Sequence, residues 1–361
     1  MLRAGLIGFA STGKSTLFQL LTSAREGARP AHGRSEAHVG VSRVPDDRLD
    51  RLTAMFNPRK RVPATVEFAD MAGAAHAGAK DLLDVAAFRN ADALLHVVRL
   101  FRDETIPHPA GSVNAARDAR AMEDELLLAD LVVVEKRLER LDKDLKKTPS
   151  ADLKREQELL LVCKDALENG RPLRSLALGA DDLKRLRGFQ FLSAKPLLLV
   201  LNLDEADIGQ MDRAVELAGL SAFVAGAATR AVPLCARIEL EIAELEPADA
   251  AAFLADLGLR ESGLDRVIRA SYDLLGYISF FTVGEDECRA WSIPLHTHAQ
   301  VAAGEIHTDI ARGFIRAEVV AYEHLVARGS LAACREHGEL RLEGKDYVVR
   351  DGDVVNFRFA T

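Results

Sequence analysis

An α/β fold built on a mainly parallel sheet, carrying an inserted pair of long helices and followed by a small α+β domain, is what the sequence predicts. Three observations carry that expectation. Short apolar runs alternate with helical patterns through the first hundred residues; a Gly- and Pro-free stretch over residues 116–147 keeps a heptad repeat; and beyond roughly Gly276 the texture turns to short β-rich runs.

Residues 3–7, 64–70 and 93–100 are apolar runs of strand length, with helical patterns between them. In the long stretch that follows, Leu127, Leu131, Val134, Leu138, Leu141 and Leu145 recur at alternating spacings of four and three, the seam of a coiled coil. Thr148-Pro149-Ser150 breaks that helix. Leu153, Leu160 and Leu167 then repeat at seven, so a second helix is expected to return antiparallel along the first. Lys195-Pro196-Leu197-Leu198-Leu199-Val200-Leu201 resumes the pattern of buried parallel strands, which makes the helical pair an insertion. The final region reads as strands over 278–283, 289–293 and 314–320, then a closing hairpin of 347–349 and 354–359 around Asp351-Gly352-Asp353. The expected division is 1–115 with 191–275 as one discontinuous domain, 116–190 as the helical insertion and 276–361 as the last domain.

Composition narrows the function classes. With 361 residues, 48% hydrophobic and 28% charged, the chain has the texture of a globular protein of two or three domains. No run approaches the length needed to span a bilayer, and the N-terminus leads directly into a motif, so a cytoplasmic protein is expected. Cys163, Cys235, Cys288 and Cys334 are far apart and read as reduced thiols. A formal charge of −8 argues against a general nucleic-acid coat, because phosphate binding relies on clustered Lys and Arg.

Gly8-Phe9-Ala10-Ser11-Thr12-Gly13-Lys14-Ser15 matches GxxxxGK[ST] between an expected strand and an expected helix beginning near Thr16. The glycines let successive N–H groups face an anion, the helix start adds its positive dipole end, and Lys14 can reach the β- and γ-phosphates of a nucleoside triphosphate. Ser15 is the expected Mg²⁺ ligand. Asp70-Met71-Ala72-Gly73 closes the second strand with the DxxG spacing, in which the Asp manages the metal and the Gly73 N–H meets the γ-phosphate. Asn202-Leu203-Asp204-Glu205 closes the later strand, where a guanine reader would have NKxD. Glu205 in place of Asp and Leu203 in place of Lys weaken guanine preference, while the Asn202 amide can still meet an adenine edge. His108, in the loop after the third strand, reads from the residues alone as a surface histidine, and His307-Thr308-Asp309 as a turn.

With these motifs in place, the chain resembles the YchF / Obg-like ATPase family across nearly its whole length. Matching segments include Val62-Pro63-Ala64-Thr65-Val66-Glu67-Phe68, Glu261-Ser262-Gly263-Leu264-Asp265, Arg289-Ala290-Trp291, Gly313-Phe314-Ile315-Arg316-Ala317-Glu318 and Leu342-Glu343-Gly344-Lys345-Asp346-Tyr347-Val348-Val349. The resemblance implies a GTPase-like P-loop domain interrupted by a coiled-coil hairpin and followed by a TGS domain, a ubiquitin-like β-grasp module. It also implies ATP preference through Asn202, Leu203 and Glu205, with Leu203 on the adenine side and GTP as the second candidate nucleotide. Cys235-Ala236 stands where the family has Ser-Ala in the base-binding loop. Gly8, Ser11, Thr12, Gly13, Lys14, Ser15, Thr16 and Gly73 are the implied phosphate-side contacts, with Ser15 and Asp70 on Mg²⁺. Phe101 through His108 resemble the loop whose histidine assists hydrolysis, so His108 inherits a catalytic role. The implied activity is slow ATP hydrolysis in a nucleotide-dependent switch associated with the ribosome or RNA. Contacts are expected through the hairpin, whose turn carries Lys143, Lys146, Lys147, Lys154 and Arg155, and through the TGS domain.

The sequence departs from the family in four places. Ala10, Ser11 and Thr12 replace Pro, Asn and Val; Arg34, followed by Ser35, falls where switch I has its Mg²⁺-binding Thr; the stretch after DxxG is about four residues shorter; and Cys235 replaces Ser. The second and third of these favour, as the rival reading, a non-hydrolysing nucleotide-gated binding module. A GTPase and a nucleotide kinase also share the P-loop; Asn202-Leu203-Asp204-Glu205 and the absence of an Arg-rich lid disfavour the kinase.

Overall fold

The computed structural model describes residues 2–23, 38–70, 85–148 and 150–360. Twelve strands are found among them: β1 Arg3–Ile7, β2 His38–Arg43, β3 Lys60–Val62, β4 Thr65–Asp70, β5 Ala93–Arg99, β6 Leu197–Asn202, β7 Thr229–Leu234, β8 Tyr277–Thr282, β9 Glu287–Pro294, β10 Phe314–Ala321, β11 Arg341–Glu343 and β12 Asp353–Phe359. They form two six-stranded sheets, and the chain divides into two compact units, 1–42 with 67–274 and 43–66 with 275–361.

The first unit is built on the sheet β2-β4-β1-β5-β6-β7. β1 pairs in parallel with both β4 and β5, and β6 with both β5 and β7. Every residue of β5 and β6 is buried, the continuous apolar signature of strands covered on both faces. The helix α1, Lys14–Ser23, leaves directly from the β1 turn. Two long helices follow β5, α3 over Ala115–Lys147 and α4 over Ala151–Glu168; the earlier α2, Asp47–Phe56, belongs to the second unit. Asn114 caps α3 by accepting the Arg117 N–H. Leu127, Leu131, Val134, Leu138 and Leu141 from the α3 seam pack with Leu153, Leu160 and Leu167, joined by Leu159, Cys163 and Ala166. The hairpin expected from the heptads is present.

Its base is tied to the sheet by buried polar groups. Asp130 of α3 is fully buried and accepts from Leu192 N at 3.0 Å, Ser193 N at 2.7 Å, Ser193 Oγ at 2.8 Å and Arg89 Nη1 at 3.1 Å. Glu123 of α3 pairs with Arg174, both side chains being less than a tenth exposed. These contacts hold the segment that feeds β6 and therefore the loop after it.

The second unit is a mixed sheet, β11-β10-β12-β8-β9-β3. Its first and last long strands, β8 and β12, lie side by side in parallel, flanked by antiparallel β9 and β10, and the helix Ala299–Ile306 packs across one face through Ala299, Ala302 and Ala303. That order is the β-grasp arrangement. Two expectations are corrected here. Residues 43–66 pack with this unit, because β3 adds in parallel to β9 and Arg48 of α2 makes ion pairs to Asp46 and Asp351. The closing hairpin of 347–349 with 354–359 does not form. Tyr347 O accepts from Ala299 N and Val349 N donates to Thr297 O, so this segment is spent on the start of the Ala299–Ile306 helix. β12 pairs with β10 and β8.

Candidate nucleotide-binding site

The loop Gly8–Gly13 joins β1 to α1 in a shape that requires its glycines. Gly8 has φ 146° and Gly13 φ 95°, and a Cβ would meet Val97 O at 2.7 Å on Gly8 and Asn202 Nδ2 at 2.5 Å on Gly13. Ser11 takes φ 60°, a left-handed conformation that Asn adopts more readily. Thr12 offsets this with a bond of its own, its Oγ1 donating to Phe9 O at 3.1 Å. The first helical bond of α1 runs from Leu17 N to Gly13 O, so the amides of Gly13 through Thr16 have no intrahelical partner and open toward an anion.

Lys14 and Asp70 set the charge of this end of the sheet. Asp70 is buried at the end of β4, opposite Leu6 of β1. Burial pulls the Lys14 amine below the ordinary lysine range, and the charge of Asp70 opposes that fall. The amine donates to Phe9 O, a backbone contact that a phosphate can replace. His96, one strand over and opposite Ile7, is buried, and burial followed by the charge of Lys14 brings its pKa down to about 3. Its ring is neutral at any physiological pH.

Asn202 has a structural task that its sequence position does not reveal. Its Nδ2 donates to Thr12 O at 3.1 Å and its Oδ1 accepts from Ala236 N at 3.0 Å, strapping the phosphate loop to the loop after β7. Its backbone O accepts from Leu100 N and Phe101 N, which adds the loop after β5 to the same node. Leu203 is buried in the core cluster that Phe9 joins, and Cys235 lies beside it in that cluster. Burial raises the Cys235 thiol above the usual range. Glu205 is exposed and pairs with Arg237 at 2.7 Å. The residues expected on the base side thus lie at the carboxyl ends of β6 and β7, with the loop after β5 bonded to the same node, where parallel sheets place ligands.

His108 is placed differently from a surface histidine. Its side chain is 4% exposed, Nδ1 accepts from Ala110 N at 3.1 Å and Nε2 lies 3.1 Å from Asp118 Oδ2 on α3. The Nδ1 bond assigns the proton to Nε2, which lies beside the carboxylate without hydrogen-bonding to it. Asp118, ten residues on in the helix pattern, gave no sign in sequence of this partnership. The loop is braced by Arg99, buried at the end of β5, which donates to Phe101 O and Asp103 O and stacks on the Phe101 ring.

Gly73, the rest of switch II, and Arg34 and Ser35 of switch I lie outside the described residues. At the hairpin turn Lys143, Lys146, Lys147 and Lys154 are exposed, whereas Arg155 is held by Asp182 at 2.9 Å. His307 acts as expected of a turn residue, its Nδ1 accepting from Asp309 N. Among the described residues no helix is long and apolar enough to cross a membrane.

Two family descriptions match this architecture, a 50S ribosome-binding GTPase over residues 3–165 and the YchF GTPase C-terminal family, a protein of unknown function, over residues 277–360. The ribosome-binding ATPase YchF of Bacillus subtilis is 43% identical, with 99% of both chains covered. The chain belongs to the YchF / Obg-like ATPase family. Obg-like ATPase 1 of Oryza sativa is 35% identical over 99% of this chain and 92% of its own. The solved YchF GTPase of Schizosaccharomyces pombe superposes with a TM-score of 0.84 at 28% identity, covering 99% of this chain and 97% of that one. As a YchF / Obg-like protein, the chain is a P-loop nucleotide-binding protein.

Proposed function

We propose that the chain is a slow, Mg²⁺-dependent ATPase that works as a nucleotide-controlled switch on the ribosome, in the cytoplasm. The observation that carries the nucleotide reading is the node at Asn202, which holds the phosphate loop and the base-side loops in one constellation. Relatives named as ribosome-binding ATPases support the partner and the reaction. Apolar Leu203 and the longer Glu205, where a guanine reader has Lys and Asp, support ATP over GTP.

The residues present suit Mg²⁺. Ser15 offers a hydroxyl at the start of α1 and Asp70 a buried carboxylate, both hard oxygen donors, and Lys14 shares their field. When bound, the metal neutralises charge on the β- and γ-phosphates. The amides of Gly13 through Thr16 and the Lys14 amine hold the phosphates in line, which is most of what phosphoryl transfer asks of a protein. His108 is assigned to positioning the attacking water. In the present conformation its ring nitrogens face Ala110 and Asp118, so the loop must release the ring before it acts. The basic hairpin turn is the proposed ribosome contact, its four exposed lysines suited to phosphate.

His108→Ala tests the assignment. Phosphate release from ATP should fall at least roughly tenfold, within the range of positioned proton-transfer groups. Nucleotide affinity should stay within about twofold, because the ring touches none of the phosphate-side residues. An unchanged rate would withdraw the role. Wild-type protein that binds ATP and never releases phosphate would instead favour the non-hydrolysing switch.

A further inference from the structure

The loop that carries His108 is anchored by an arginine at each end. Arg99 donates to Phe101 O and Asp103 O, and Arg117, in the first turn of α3, donates to Ser112 O at 2.6 Å and to Ser112 Oγ at 3.2 Å. Between the anchors the chain runs along the surface. Of residues 102–112 only Ile106 and His108 are not exposed, and His108 stands between Pro107 and Pro109. The ring is fixed first to its own turn. Ala110 N donates to Nδ1, Gly111 N donates to His108 O at 2.9 Å and Gly111 takes φ 78°, so residues 108–111 form a tight turn that carries the ring as one piece.

That turn meets α3 at Asp118. Nε2 lies 3.1 Å from Asp118 Oδ2, both side chains are less than a tenth exposed, and neither atom makes a hydrogen bond. Arg117 claims the other oxygen, with Nε at 2.9 Å and Nη2 at 2.7 Å from Oδ1. The distance between ring and carboxylate is met and the alignment is not. Buried polar atoms nearly always find partners, and a pair left in contact without a bond is the kind of local inconsistency that functional sites retain. A well-aligned bond would fix the loop to the helix; this contact shelters the ring and still lets it go.

We propose that Asp118 is a positioning residue that parks His108 away from the reaction, and that undocking of the 108–111 turn limits the rate of ATP hydrolysis. The proposal rests on the assignment of His108 to the attacking water. In the parked pose Nδ1 is engaged by Ala110 and Nε2 is closed off by the carboxylate. Undocking leaves Nδ1 with its turn and opens Nε2–H as a donor to water or a phosphate oxygen.

Two readouts on the full chain test this: phosphate release from ATP with Mg²⁺, and acylation of His108 by diethyl pyrocarbonate, followed on its own peptide by mass spectrometry. Asp118→Asn keeps the volume of the side chain. Because Arg117 claims the amide oxygen, the Asn Nδ2 faces Nε2–H, donor against donor, and the ring should undock. Asp118→Ala removes the contact outright. The wild-type ring should resist acylation. Both variants should expose it and raise kcat at least about threefold, as a minor competent state becomes the major one, with KM for ATP within about twofold. Damage to α3 alone would lower kcat. In the His108→Ala chain neither Asp118 change should alter the rate. A ring that stays protected in both variants, or a rate that stays level or falls while His108→Ala still slows release, overturns the parking role and leaves the His108 assignment intact. Exposure without faster release, in a protein that His108→Ala does not slow, removes the His108 assignment and with it the claim that undocking limits hydrolysis.

Discussion

Lys14→Ala should weaken ATP binding by roughly ten- to a hundred-fold while leaving the fold as stable as before. The first half follows from losing charge-assisted contacts to the β- and γ-phosphates, worth about 1.5–3 kcal/mol. The second half follows from the state of the lysine without ligand. Its amine sits where burial already disfavours the charge, with a backbone carbonyl as its hydrogen-bond acceptor and Asp70 as the opposing charge. An amine placed where burial disfavours its charge suits an anionic ligand, so deleting it relieves desolvation as it removes function. Calorimetry for ATP and a denaturation curve without nucleotide check both halves. A marked loss of stability with affinity unchanged would make Lys14 a structural residue.

The largest stability effect is expected at Asp130. Asp130→Ala leaves two backbone N–H groups, the Ser193 hydroxyl and the Arg89 guanidinium without their acceptor in a buried place. Breaking a buried, hydrogen-bonded charge in this way costs about 3–5 kcal/mol, a large share of what holds a domain folded. The cost has a functional route as well. Leu192 and Ser193 lead into β6, which ends at Asn202, so loosening them loosens the strap between the phosphate loop and Ala236. Urea denaturation of the full chain measures the effect. A change below about 1 kcal/mol would mean that water or a neighbour replaces the carboxylate.

How much of this was legible in sequence depends on whether a feature is local. The phosphate loop was, because Gly8 and Gly13 are fixed by backbone conformations that glycine alone accepts without cost, and these need no knowledge of the fold. The hairpin was, since its seam is a repeat along one helix. β3 was not: Lys60-Arg61-Val62 has no apolar alternation, and its place on β9 comes from tertiary pairing across more than two hundred residues. Tyr347-Val348-Val349 misled in the opposite sense. The segment has strand composition, yet its hydrogen bonds go to the start of a helix. At the site, the residue types of Asn202, Leu203 and Glu205 were readable, but the double engagement of Asn202 depends on two loops brought together by the parallel sheet. His108 shows the same limit. Nothing in the spacing of His108 and Asp118 signals a pair; only the turn of the chain from the loop into α3 makes one.

Titration of the purified chain with non-hydrolysable ATP and GTP analogues, each with and without Mg²⁺, tests the central claim most directly. ATP-selective binding that Mg²⁺ strengthens is the predicted result, since Leu203 and Glu205 stand where a guanine reader has Lys and Asp, and Ser15 with Asp70 are the proposed oxygen donors for the metal. Preference for the GTP analogue, or no binding of either, would contradict it.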